Sequence, residues 1–150
     1  MYLLDNDIFS IYFVRRNRAP NLERKILESL ALNRLFLPII TVRQSLGGAL
    51  ASVARHEATE RVVLAYALLQ TVLIGINEIP IVPFDDEAYD AFLRIPARVR
   101  RAIGTQDSLI AAIALRHNLT VATGNVADFE QVEGLTCENW KRLPNPTNTV

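Results

Sequence analysis

The sequence predicts an α/β domain, with a mostly parallel central sheet and helices on both of its faces. Two observations predict it. Short apolar runs at 2–4, 35–40, 79–84 and 120–123 alternate with longer segments of helical periodicity, the order that builds a parallel sheet covered on both sides. An acid also stands where an apolar run ends or a helix opens, at Asp5, Asp85, Asp107 and Asp128. The carboxyl ends of parallel strands are where such folds collect ligands, so acids there point into one crevice.

Tyr2-Leu3-Leu4 forms a short buried strand, ended by the turn Asp5-Asn6-Asp7. Residues 8–16 mix apolar and basic side chains and open a helix, which Pro20 breaks. Asn21 then caps a helix with Leu22, Ile26, Leu27 and Leu30 at helical spacing. Residues 35–40 are a second buried strand. Thr41 caps the next helix, which carries Gln44 and is locally weakened by Gly47-Gly48. A long apolar helix at 57–76 leads to the strand at 79–84, and Asp85 caps a helix at 86–93. Residues 94–101 form a basic connection containing Pro96. The helix at 106–117 is apolar at Leu109, Ile110, Ile113 and Ala114; a strand at 120–123 and a short last one at 135–138 follow. Pro144 and Pro146 mark a flexible tail at 143–150, leaving one domain over 1–142.

A chain of 150 residues, half of them apolar, suits one domain with a sizeable core and excludes a disordered chain. Sixteen basic residues balance sixteen acidic ones, so nucleic acid would be held by local patches and not by the field of the whole molecule. Lysine occurs only at Lys25 and Lys141, and the other basic residues are arginines, whose planar guanidinium suits bidentate contact with phosphate. The lone Cys137 excludes an internal disulfide and a cysteine-rich zinc site, and a buried, inert thiol is expected. His56 and His117 lack ligand spacing and are expected at the surface. No signal-peptide pattern precedes the first strand, and the apolar stretch at 62–76 is too short to span a bilayer. A soluble cytoplasmic protein with no membrane partner is the expectation.

Crowded carboxylates repel one another unless a divalent cation holds them, so the acids suggest a Mg²⁺ or Mn²⁺ site. Asp5 is the strongest candidate ligand, because Asn6 and Asp7 already suffice to make the turn; Asp7 itself reads as a cap. Asp107 is either a first-turn acid complementing its helix dipole or a ligand approached through Thr105-Gln106. In Thr123-Gly124-Asn125-Val126-Ala127-Asp128-Phe129, Asn125 and Asp128 offer oxygens of the kind Mg²⁺ accepts, and Thr123 could hold a water or a phosphate. An Asx-turn would explain the same pair. Arg94, Arg98, Arg100 and Arg101 form either a solvated face or a phosphodiester-binding patch.

Taken together these segments resemble the PIN-domain ribonucleases, and among them VapC-type toxins of type II toxin–antitoxin pairs. Leu3-Leu4-Asp5-Asn6-Asp7-Ile8 is similar to the family opening Leu-Leu-Asp-Thr-Asn-Ile, and Thr41-Val42-Arg43-Gln44 with Gly48 to its second block, Thr-Val-x-Glu-x-x-x-Gly. Gly104-Thr105-Gln106-Asp107-Ser108 resembles the third block and Thr123-Gly124-Asn125-Val126-Ala127-Asp128-Phe129 the fourth, so the likeness covers residues 1 to about 140 in order. The resemblance implies a PIN-like three-layer fold, Mg²⁺- or Mn²⁺-dependent cleavage of RNA and a small antitoxin as partner; the long apolar helix at 57–76 and the apolar second helix give more hydrophobic face than one sheet needs, which suggests a homodimer. The resemblance also implies Asp5 and Asp107 as central metal ligands completed by Asn125 and Asp128, with Asp85 a structural turn acid.

One departure bears on activity. The second block should carry Glu where this chain has Gln44, which keeps a carbonyl oxygen but loses the charge. Gly124 also replaces a usual Arg or Lys, and Asn6 a usual Thr. A catalytically weakened PIN module that only binds RNA or a partner is therefore an alternative. A haloacid-dehalogenase-type phosphatase is a third reading, from Asp5-Asn6-Asp7 as Asp-x-Asp, but it needs a lysine near the nucleophile. Lys25 in an early helix and Lys141 at the far end are not placed there by the sequence.

Overall fold

The computed structural model describes residues 1–144, so of the expected tail all but Leu143 and Pro144 lie outside the described residues. Among the described residues, five parallel strands lie in the order β3-β2-β1-β4-β5: β1 (Tyr2–Leu4), β2 (Leu35–Pro38), β3 (Ile81–Val82), β4 (Thr120–Thr123) and β5 (Cys137–Asn139). Leu3 pairs with Val121 and Leu4 with Ala122, which sets alternate residues on opposite faces. Leu3 and Val121 belong to one apolar layer with Ile110 and Ile113, while Leu4 and Ala122 belong to the other with Phe9, Ile26 and Leu37. Both faces are thus dry, and the three-layer α/β expectation holds.

On the Leu4 face lie α1 (Asn6–Phe9), a π-helical turn (Ser10–Val14), α2 (Pro20–Ala31), α3 (Ile39–His56) and α4 (Val62–Asn77). On the Leu3 face lie α5 (Asp86–Arg94), α6 (Ala97–Ile103), α7 (Thr105–His117) and α8 (Val126–Phe129). Asp85 caps α5 as expected, its Oδ1 accepting the Ala88 N–H at 2.8 Å. Among the described residues no helix is long and apolar enough to cross a membrane.

Several boundaries differ from the sequence reading. Pro20 opens α2 instead of breaking a helix, since its missing N–H would be unpaired at the first position anyway and its φ is already helical. Asn21 therefore lies inside the helix, and Ala19 is the N-cap. Helix α3 starts directly out of β2 at Ile39, so Thr41 is a buried residue of its first turn and donates its hydroxyl to the Leu4 carbonyl at 3.3 Å. The strand expected at 79–84 shrinks to Ile81–Val82. The basic connection is the short helix α6, and Gly104 ends it at φ +90°, a left-handed conformation that glycine adopts freely and that turns the chain into α7. Cys137 and His56 are half-buried instead of buried and exposed, respectively, and half-buried His117 has a buried, unpartnered Nε2.

Candidate metal and nucleic-acid site

The chain leaves β1 toward β2 on one side of the sheet and returns later to β4 on the other, so the carboxyl ends of β1 and β4 flank a topological switch point. Asp5 sits there. Its backbone N–H donates to the Ala122 carbonyl at 3.0 Å, extending the β1–β4 ladder by one bond. The side chain then caps α1, Oδ1 accepting the Asn6 N–H at 2.6 Å, while Oδ2 accepts the Thr123 hydroxyl at 2.8 Å. Asp5 is only 7% exposed, and burial, with the nearby charges of Asp7 and Asp107, raises its pKa to about 7 against the help of those two donors.

Asp107 stands in the first turn of α7, and burial followed by the charges of Asp128 and Asp7 raises it to about 6. Asp128 lies in α8, with its Oδ2 accepting the Asn125 side-chain amide at 2.5 Å. The structure thus brings Asp5, Asp107, Asn125 and Asp128 to one end of the sheet. Thr123 is fully buried, and its hydroxyl also accepts the Asn125 N–H at 2.9 Å. The expected contact with a phosphate is corrected accordingly: Thr123 orients Asp5 from within and does not face solvent.

Gln44 comes to the opposite flank. Residues 41, 44 and 45 share one face of α3, and that face docks on the end of β1 through Thr41 and through the Ser45 hydroxyl, which donates to Asn6 Oδ1 at 2.8 Å. Gln44 lines an open hollow with Asn6, Ser10 and Val72, and its Oε1 is buried without a hydrogen-bond partner.

Two residues depart from their expected parts. Asp7 is not a cap: its Oδ2 accepts the Gly124 N–H at 3.0 Å and pairs with Lys141 Nζ at 2.8 Å. Lys141, set aside in the sequence as remote, follows β5 in a 3₁₀ turn (Trp140–Arg142) that returns to the acids. Only the pairing of β5 with β4 reveals this, and nothing local in the sequence signals it.

The four arginines do not form one patch. Arg100 and Arg101 border a cleft with Gly104 and Thr105 at the start of α7, Arg100 being held by the Ile95 carbonyl at 3.0 Å and lying over the Phe92 ring. Arg94 instead lines a hollow with Glu87, Asp90 and Arg116. Arg98 is exposed on α6.

The PIN domain profile matches residues 2–135 of the chain. The chain belongs to the PIN-domain family. Ribonuclease VapC1 of Haemophilus influenzae (strain R2866) is 25% identical over 142 residues, 95% of this chain and 99% of that protein. The VapBC-1 structure from nontypeable Haemophilus influenzae superposes with a TM-score of 0.73 at 21% identity, over 94% of this chain and 98% of that one. FitAcB from Neisseria gonorrhoeae gives 0.68 at 27% identity, over 95% and 100%.

The donors of this PIN domain suit a hard divalent cation, because carboxylate, amide and hydroxyl oxygens are the ligands Mg²⁺ and Mn²⁺ prefer. Asp7 Oδ1 there is buried and accepts no hydrogen bond, and neither does Gln44 Oε1 in the hollow beside Asn6. Among the described residues no three acid, histidine or cysteine side chains converge tightly enough to share one ion. Asp7 is drawn toward Lys141 and Asp128 toward Asn125.

Proposed function

We propose that this PIN domain is an endoribonuclease that hydrolyses RNA phosphodiester bonds with Mg²⁺ or Mn²⁺, acting as the toxin of a toxin–antitoxin pair. The observation that carries the reading is the buried Asp5 carboxyl at the switch point, crowded by Asp7 and Asp107. Such a group is costly in isolation and is relieved by a cation. Asp5 and Asp107 would hold the ion, with Asn125 and Asp128 completing the set and Gln44 adding a neutral oxygen. Bound there, a divalent cation supplies a lowered water pKa and positive charge to the phosphodiester oxygens. Thr123 keeps Asp5 oriented, and Arg100 and Arg101 beside the start of α7 offer guanidinium groups to the RNA backbone, with Arg98 further along α6.

Support for a ribonuclease comes from full-length similarity to a protein named for that activity. Support for partners comes from the surface of α4, which exposes Val63, Leu64, Tyr66, Leu73 and Ile74. Helix α4 packs against α3 and the π-helical turn, and the apolar side chains it leaves exposed fit a second copy of the chain or a small antitoxin. The test is cleavage of a structured RNA across a Mn²⁺ titration, with Asp5→Asn and Asp107→Asn as the decisive variants. Activity lost in both, with folding intact, supports the reading; cleavage at the parent rate in either overturns the ligand assignment.

The uncharged Gln44 favours a second reading, a PIN module that binds RNA without cleaving it. Binding without cleavage at saturating Mn²⁺ would establish it.

A further inference from the structure

The turn after β5 is pinned from two sides. Trp140 is buried edge-on against Tyr2 at 4.9 Å between ring centres, and Asn139 Oδ1 accepts the Lys141 N–H at 3.0 Å. The root of the Lys141 side chain is thereby fixed beside Gly124. A Cβ at position 124 would collide with Lys141 Cδ and Cε and with Asp7 Oδ2, so the missing side chain is what opens the path. At the end of that path Nζ meets Asp7 Oδ2, the oxygen already held by the Gly124 N–H. The other oxygen of Asp7 stays buried and unpartnered.

We propose that Lys141 is a built-in counter-ion of the acid cluster, threaded through the gap at Gly124 to tether Asp7, and that it competes with a divalent cation for this negative charge. The tether stands on the contacts alone; the competition rests on the metal-dependent reading above. As an ion pair with both partners partly exposed, Lys141–Asp7 adds little to stability. Its effect is on potential: a fixed ammonium beside the carboxylates opposes the arrival of a second cation. Lys141 is thus a positioning residue whose removal should strengthen metal binding, the reverse of what damage to the fold would do.

The experiment is Mn²⁺ titration calorimetry on the full chain, with no RNA present. Lys141→Met should tighten binding by roughly threefold or more, the scale of removing one unit charge near a partly solvated site. Lys141→Arg should stay near the parent, and Lys141→Met should lose its effect in an Asp7→Asn background. Unchanged or weaker affinity in Lys141→Met overturns the competition. If the parent binds no Mn²⁺, the metal reading itself has failed, and NMR of the Lys141 side chain then judges the tether. Lys141 Cε and Nζ resonances that shift on Asp7→Asn uphold it, and unchanged resonances overturn it.

Discussion

The Thr123 hydroxyl donates to Asp5 Oδ2 at 2.8 Å, joining the ends of two adjacent strands that lie 118 positions apart in the chain. The Thr123 hydroxyl oxygen in turn accepts the Asn125 N–H, so one buried side chain aims an acid and shapes the loop that follows. Thr123→Val keeps the shape and removes both bonds. We expect a loss of about 1–3 kcal/mol in urea unfolding, the cost of leaving buried polar groups unpaired, and near-parent behaviour for Thr123→Ser.

The raised pKa of Asp5 has a definite sign in pH. The folded form keeps its proton up to about 7 and the unfolded chain only to about 3.8, so the folded state binds more protons between these values. Stability without divalent cation should therefore fall as pH rises from about 4 to about 7 and level off above, with Asp107 contributing in the same direction up to about 6. In Asp5→Asn this slope should flatten. A Tm series in EDTA from pH 4 to 8 checks it, and an unchanged slope would show that Asp5 is not the group responsible.

Restoring the charge at position 44 should strengthen the site. Gln44→Glu is expected to tighten Mn²⁺ binding roughly tenfold, equivalent to ~1.4 kcal/mol, and to raise RNA cleavage with it. Calorimetry and a cleavage assay on both proteins decide the matter. Equal values for both would place Gln44 away from the ion.

Asp85 provides the contrast. Asp85→Ala removes the α5 cap and should cost about 1 kcal/mol of stability while leaving cleavage per folded molecule unchanged. A large loss of cleavage would move Asp85 from the scaffold to the site.

The apolar face of α4 can be tested by charge. Val63 and Leu64 are 71% and 72% exposed, so Val63→Glu with Leu64→Glu should cost little in folding and convert a dimer to a monomer in light scattering. A monomeric parent would remove the basis for self-association through this face.

The sheet and most of the acids were legible because each rests on a local pattern. Apolar runs ending in an acid located Asp5 and the 123–128 loop, and Asp85 preceded its helix as a cap should. Features decided by tertiary packing were not legible. Pro20 has the same letters whether it ends one helix or opens another, and only the chain direction after it separates these. Thr41 looks like a cap until β2 is seen to run directly into α3. The basic residues at 97–103 fold as a helix because Val99 and Ile103 are buried on one side of it. Lys141 was the largest omission, since its partner lies at the other end of the chain.

That last pairing has a consequence for how the protein comes into being. The central strand β1 is synthesised well before its neighbour β4 and the acid at position 128. Parallel pairing over such separations is slow, because a long loop must close before any contact rewards it. A nascent chain short of residue 107 holds Asp5 with only Asp7 of the two acids that crowd it, and one short of residue 141 lacks the lysine that tethers Asp7. The acid cluster and its tether are therefore complete only once residue 141 has been added, and the growing chain carries its carboxylates separately until then.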